Sequence, residues 1–371
     1  MGPEVSTDPA STRSVRGAHS RPRPSKSEIR RRRRRRRLLP LTLVLLGVVV
    51  LVAWQLMGTT SPRGSAGPHQ TTSATARATT TQTTKPPPPP YVPPAVTPKI
   101  TPALAGEGTW TAADTWTKGP PSVMTTTYRP DPSNPSTVAY VVWMRSATTQ
   151  LALYPGYEGP GPTNFDRGPE QVPTSGKPYV LGTFNSGFYE KDSAGGFYTH
   201  HTLYYPMIDG LATVVSYTDG KVDIIDWQGG PKPGPDVVTA RQNLPMLVDN
   251  GAPGAGTDIW GNWGVTLGGV PAVWRTALGI DAKGNLIYVA AANQTAATLA
   301  QIMIEVGSVR AMELDINPEW PIYVTYGAPN AGLPSVFVPN PASIPQRFLY
   351  PATKDFFTIY VKRPGVVQPP W

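Results

Sequence analysis

The chain has 371 residues, no cysteine and a formal charge of +9 at pH 7. It therefore has no disulfide framework and no thiolate metal site. The charge is uneven: residues 1–37 hold 13 Lys/Arg against 3 Asp/Glu, and the remainder holds 20 against 21, so the folded part carries no electrostatic footprint for nucleic acid.

Residues 1–37 end in an unbroken run from Arg30 to Arg37. A like-charged block of this kind reads as a disordered basic cytoplasmic tail. Residues 38–57 are uncharged, with Thr42 and Gln55 the clearly polar members. At about 1.5 Å per residue they span roughly 30 Å, the thickness of a bilayer core, which predicts one single-pass transmembrane helix. Arginines before it, and Arg63 alone soon after it, put the N-terminus in the cytoplasm and the C-terminal domain outside, at the cell membrane. The basic tail suits anionic lipid headgroups. A cleaved signal peptide is the competing reading, but the apolar stretch is long for one and no small-x-small site follows closely. Residues 58–103 form a Thr/Pro-rich linker that passes through Pro86 to Pro90. Where polyproline II forms, such sequence extends at about 3.1 Å per residue and holds a domain away from the membrane.

Residues 104–371 are long enough for one sizeable core. Their pattern predicts an α+β fold: a strand-rich mixed sheet with few helices. Residues 137–144 and 150–154 are β-branched or aromatic runs. Residues 179–184 read as a strand that opens into Asn185, Ser186 and Gly187, a tight-turn pattern. His200 and His201 are the only histidines in this region; read as strand neighbours they point to opposite faces, and neither has zinc-ligand spacing. Asp219-Gly220 between residues 211–217 and 222–227 signals a hairpin, as does Lys283 to Asn285 between 276–280 and 286–290. Arg241 and Arg275 offer planar forks for phosphate or carboxylate, with a structural salt bridge as the bland alternative. After Thr295 as N-cap, Leu299, Ile302, Met303 and Val306 keep helical spacing until Gly307.

The most informative stretch follows. In residues 311–316, Met312, Leu314 and Ile316 share one strand face and Glu313 and Asp315 the other. Two acids at the end of an apolar strand are costly unless something pairs or uses them. Asn317, Pro318, Glu319 and Trp320 come next. Neither a Gly-x-Ser-x-Gly elbow nor a Walker-type phosphate loop is present.

Taken in order, Phe184 to Tyr189, Pro206 to Gly210, Arg241 to Val248, Trp274 to Asp281 and Ala311 to Asp315 resemble elements of the phosphodiester glycosidase family, the family of the uncovering-enzyme-like glycosidases. The resemblance covers about 175–327. It implies a hydrolase that cleaves a sugar-1-phosphodiester, or a related glycosidic bond, in cell-surface polysaccharide, held at the membrane by the segment at 38–57. Two motifs differ: the family's Asn-Gly-Gly is Asn185-Ser186-Gly187, and its Gly-rich run after the aspartate is Ile316 to Trp320.

On this basis Asp315 is expected as nucleophile or base and Glu313 as its acid/base partner. Arg275, with Arg241 in support, is expected to hold the phosphate. Thr276, next to Arg275 in the same motif, joins the substrate-binding set. Asn185 and Asn317 would meet sugar hydroxyls, and Trp320 would stack on the sugar. Glu319 is a third acid or a metal ligand; a hard cation such as calcium suits oxygens of this kind, although no ligand loop identifies one. Two other readings are a non-catalytic polysaccharide-binding or assembly module on the same fold, and an ordinary glycosidase that uses Glu313 and Asp315 alone.

Overall fold

The structure, a computed structural model, describes residues 89–159, 167–193, 195–266, 268–340 and 342–371. The chain divides into a unit at Met1–Lys85 and another at Pro86–Trp371. The basic tail, the expected transmembrane helix at 38–57 and most of the linker lie outside the described residues. Among the described residues no helix is long and apolar enough to cross a membrane.

Three sheets build the second unit. The largest runs β1 (Thr111–Ala112), β2 (Val123–Tyr128), β3 (Ala139–Met144), β14 (Leu286–Gln294), β13 (Val273–Asp281), β15 (Ser308–Glu313), β11 (Met246–Asp249) and β12 (Ala252–Pro253). The second runs β7 (Thr202–Tyr205), β6 (Phe197–Thr199), β10 (Val237–Gln242), β8 (Ala212–Tyr217) and β9 (Val222–Asp226). The third runs β17 (Gly332–Val336), β16 (Tyr323–Ala328), β5 (Val180–Asn185), β18 (Phe356–Val361) and β4 (Thr149–Tyr154). The described helices are a four-residue α1 (Glu190–Ser193) and α2 (Ala296–Glu305), besides short 3-10 turns.

The expected strand-rich fold with few helices is present, but the expected mixed sheet is not. Every strand pairing among the described residues is antiparallel. Parallel neighbours need a crossover connection. The one helical crossover here, α2, joins β14 to β15, and these flank β13 on opposite sides rather than pairing with each other.

Both hairpins form as their turn residues predict. β8 and β9 pair around Gly220, whose φ of +82° requires the freedom of glycine. β13 and β14 pair around Lys283 to Asn285. The runs at 137–144 and 150–154 become β3 and β4, but in different sheets. Thr295 caps α2 through a reciprocal bond with Thr298. His200 and His201 do not sit in a strand: both have positive φ at the turn between β6 and β7.

The main core lies between the largest sheet and the two smaller ones. It brings together Val142, Leu278 and Met312 of the first sheet, Leu151, Phe184 and Phe357 of the third, and Phe197, Val214 and Ile224 of the second. A second cluster packs α2, through Leu299, Ile302 and Met303, on the other face of the largest sheet with Trp143 and Trp263. Val96 is buried in this cluster, and Trp110 Nε1 donates to the Pro94 carbonyl. The chain therefore joins the fold before residue 104, where the sequence places the end of the linker.

Leu299 is fully buried between α2 and the sheet. Leu299→Ala is expected to lower stability by about 2–5 kcal/mol through lost transfer energy and the cavity left behind, read as a lower urea midpoint at unchanged slope.

Candidate functional site

The site forms where the three sheets meet. β5 ends in Asn185, β10 in Gln242 and β15 in Glu313, and near the start of β13 stand Arg275 and Thr276. Hydrogen bonds tie these ends together. Asn185 Nδ2 donates to Thr276 Oγ1 at 2.9 Å, and Thr276 Oγ1 donates to the Asp315 carbonyl at 2.8 Å. Asn185 Oδ1 accepts from Tyr288 and from the Ile322 N–H. Asn243 Nδ2 donates to the Glu313 carbonyl at 2.7 Å. Asn185 and Thr276 thus join the third sheet to the first and fix the backbone of Asp315. The expected role of Asn185 on sugar hydroxyls is corrected: its amide is already committed on both sides.

The two arginines are also committed. Arg275 has no exposed surface; its Nη1 meets Glu313 Oε1 at 2.5 Å and the Trp263 carbonyl at 2.9 Å. Its Nε donates to the Gln294 carbonyl and its Nη2 to that of Pro271. Arg241 pairs with Asp355 at 2.8 Å and donates to the Phe188 and Gln242 carbonyls. The expected phosphate grip of Arg275 and Arg241 therefore fails. A fork engaged by a carboxylate and several carbonyls has little left to offer a ligand. The salt-bridge reading holds in kind, but the partners are Glu313 and Asp355 rather than the Asp249 or Asp315 expected from the sequence.

Glu313 and Asp315 separate as well. β15 stops at Glu313, so the strict strand alternation does not extend to Asp315. Glu313 is fully buried and does not line the cavity described below. Burial pushes its carboxyl up to about 7 against the opposing pull of Arg275, and Oε2 has no hydrogen-bond partner. Its expected acid/base role is corrected to that of counter-ion to Arg275. Asp315 does face open space. Its N–H donates to the Ser186 carbonyl, its Oδ1 accepts from the Asn317 N–H at 2.8 Å, and its Oδ2 pairs with Lys354. Burial raises its carboxyl above the ordinary range, opposed by Lys354.

A cavity of about 590 Å³ opens beside Asp315, with walls that include Phe188, Tyr189, Thr266, Trp274, Asn317 and Trp320. Asn317 and Trp320 thus line the same cavity as Asp315. The turn that carries them is stitched by Asp315 Oδ1 to Asn317 N and Asn317 Oδ1 to Glu319 N, which explains why this sequence needs no glycines there. Glu319 is exposed and lines neither this cavity nor the chamber described next, against its expected place in the site. Among the described residues no group of three or more His, Asp or Glu gathers as a metal site. His200 stacks on Trp371, away from the cavity lining.

The sequence reading missed the cations. Lys354 lies 4.4 Å from the Tyr189 ring centroid and 5.3 Å from that of Trp320, and Arg347 lies 4.8 Å above Trp320. Both line a chamber of about 10 Å³ with Asp315 and Ser186, room for a single water. The buried Ser186 Oγ has no partner. Lys191 stands on the cavity wall. Tyr189, its phenol pushed up to about 12 by burial and then by nearby carboxylates, stays a proton donor. A signal for Lys354 existed: Lys354-Asp355 directly precedes the apolar β18, the same charged-strand-end pattern as Glu313 and Asp315.

Residues 179–315 match the phosphodiester glycosidase family. Among curated proteins no sequence match is found. Three solved structures are similar to this chain. One is a zebrafish N-acetylglucosamine-1-phosphodiester alpha-N-acetylglucosaminidase catalytic domain auto-inhibited by its pro-peptide: 14% identical, TM-score 0.42, covering 68% of this chain and 88% of that one. A hypothetical protein from Synechocystis is 12% identical with a TM-score of 0.36 and covers 67% and 63%. A putative exported protein from Burkholderia pseudomallei is 11% identical with a TM-score of 0.27 and covers 61% and 74%. The family match supports a glycosidase-type hydrolase at the level of the family.

Glu313→Ala leaves the Arg275 charge buried without its counter-ion and is expected to lower stability by about 3–5 kcal/mol. Arg275→Met combined with Glu313→Leu should cost less than the two single changes together. Because the folded carboxyl lies near 7, above its ordinary 4.5, folding takes up a proton between these values. The Glu313 contribution is then full below 4.5 and is lost as pH rises through 7. Urea midpoints measured across that range should fall in the wild type and fall less in Glu313→Gln.

Proposed function

We propose that this chain, which carries a phosphodiester glycosidase segment at 179–315, is a membrane-anchored, extracytoplasmic hydrolase of a sugar-1-phosphodiester at the cell surface. Its N-terminus lies in the cytoplasm, Leu38 to Met57 crosses the membrane, and the Thr/Pro-rich stretch carries the domain outward. The observation that carries the reaction is the grouping of Asp315 with Lys354 and Arg347 beside a cavity walled by aromatic side chains.

A sugar-1-phosphodiester has a good leaving group, so protonation of that group contributes little. The site then needs one carboxylate at the anomeric carbon and positive charge for the phosphate. Asp315 supplies the first. Acting as base, it takes a proton from water as the water oxygen bonds to the anomeric carbon. The bond from that carbon to the phosphate oxygen breaks, and its electron pair leaves with the phosphate. The products are the free sugar and a phosphomonoester. Lys354 and Arg347 offset the charge that grows on the phosphate. Arrival of the phosphate also draws Lys354 away from Asp315 and frees the carboxylate to act. Trp320 and Tyr189 face the sugar ring.

A cationic pair beside the carboxylate favours an anionic substrate over a neutral glycoside. The non-catalytic module keeps one supporting observation: Asp315 is already neutralised by Lys354.

Asp315→Asn preserves shape and is expected to lower kcat by about 100- to 10,000-fold at an unchanged unfolding midpoint. The assay is release of phosphomonoester from synthetic sugar-1-phosphodiesters. Arg347→Ala should cost about 100-fold in kcat/KM on the phosphodiester and little on an uncharged aryl glycoside. Undiminished turnover in Asp315→Asn contradicts the assignment; saturable glycan binding without turnover in the wild type supports the module.

A further inference from the structure

Much of the wall of the cavity is apolar, and the cavity shares Asp315 and Trp320 with the small chamber lined by Lys354 and Arg347. Phe188, Val265, Val273, Trp274, Ile316 and Pro318 form this apolar wall. Ligand pockets are commonly walled by apolar side chains, and here these six stand in addition to the Tyr189 and Trp320 rings assigned to the sugar. The apolar character continues onto the surface. Val265 is 98% exposed, and Ile259, Trp260 and Val270 of the same loop are each about half exposed. Scattered exposed apolar residues are ordinary, but Val265 lines the cavity itself and the other three share its loop.

The loop is held in place. Arg275 donates to the carbonyls of Trp263 and Pro271, one at each end of the segment that carries Val265. Gly264, at φ +85°, lies so close to Phe188 and Ile316 that a Cβ would come within 2.9 Å of both side chains. Beyond it, Thr266 turns a buried hydroxyl without a partner onto the cavity lining. Asp315 and Trp320, which also border the chamber of Lys354 and Arg347, thus stand in one cavity with a hydrocarbon wall and rim.

We infer that the group on the far side of the substrate's phosphate is a hydrocarbon chain, so that the substrate is a lipid-linked sugar phosphodiester. This rests on the phosphodiester reading above and names the alcohol that the phosphate carries. The sugar lies against Trp320, the phosphate on Lys354 and Arg347, and the chain runs along Phe188, Trp274 and Ile316 towards Val265. Hydrolysis as written above gives the free sugar and the lipid phosphomonoester, with water as the only co-reactant. Charge complementarity favours this occupant over a purely hydrocarbon one, because a phosphate beside Asp315 and Trp320 comes next to Lys354 and Arg347.

The test compares hexyl phosphate with methyl phosphate by calorimetric titration of the full chain in phosphatidylcholine nanodiscs, with empty discs subtracted. Hexyl phosphate should bind at least about tenfold tighter. Val265→Asp, at a fully exposed position that does not threaten folding, should narrow the ratio to within about threefold. Equal binding of the two phosphates overturns the inference, as does a ratio that Val265→Asp leaves unchanged. If the two phosphates bind alike and Val265→Asp instead loosens the domain from a phosphatidylcholine surface, the loop is a membrane-docking surface and the inference is overturned. Turnover of hexyl and methyl diesters of glucose and N-acetylglucosamine 1-phosphate separates the two claims. Equal KM for both aglycones sinks the inference and leaves the phosphodiester reading standing. A hexyl preference in binding without hydrolysis of any diester sinks the reading.

Discussion

The pairing of Arg275 with Glu313 sets the geometry of the whole site. Neither side chain has exposed surface, and a guanidinium held out of water must be engaged by hydrogen bonds. Arg275 meets that demand by reaching three backbone carbonyls besides Glu313. Two of these belong to the loop that walls the cavity. A residue placed to satisfy its own charge therefore also decides where the wall stands. Arg241 repeats the pattern on the other side: its ion pair holds Asp355, neighbour of Lys354, and its guanidinium holds the Phe188 carbonyl. The buried arginines act as positioning residues for groups that meet the substrate.

This division of labour separates structure from chemistry among the charged groups. Glu313 is spent on Arg275 and Asp355 on Arg241. That leaves Asp315 on the cavity, with Lys354 and Arg347 beside it in the small chamber and Lys191 and Asp192 on the cavity wall. Asp315 and Lys354 neutralise each other at rest, which makes burial of both tolerable. An arriving phosphate competes with Asp315 for Lys354, and the resting pair is then the state that substrate binding undoes. The apolar wall adds a further constraint, because a ligand that meets only the charged groups leaves that wall uncovered.

Much of the architecture was legible from local pattern. The turn at Gly220, the capped helix after Thr295 and the strand into Glu313 follow from periodicity and turn chemistry. Pairing direction was not legible, because an apolar run looks the same in parallel and antiparallel sheets. The separation of β3 from β4 into different sheets was equally hidden. At the site, the sequence pointed to Asp315 and Trp320 but misjudged the arginines. The motif around Arg275 shows that a fork is needed, not whether its partner is a ligand or Glu313; burial decides that, and burial of a charged side chain has no local signature. Lys354 and Arg347 lie beyond the stretch of family resemblance, and long-range folding alone brings them to Asp315.

The central claim is that phosphate meets Lys354 and Arg347, while Arg275 and Arg241 are structural. Crystals soaked in glucose 1-phosphate test it most directly. The account predicts phosphate oxygens at about 2.7–2.9 Å from Lys354 Nζ and the Arg347 guanidinium, with both buried arginine pairs intact. Phosphate on Arg275 or Arg241, with Glu313 or Asp355 displaced, would contradict it.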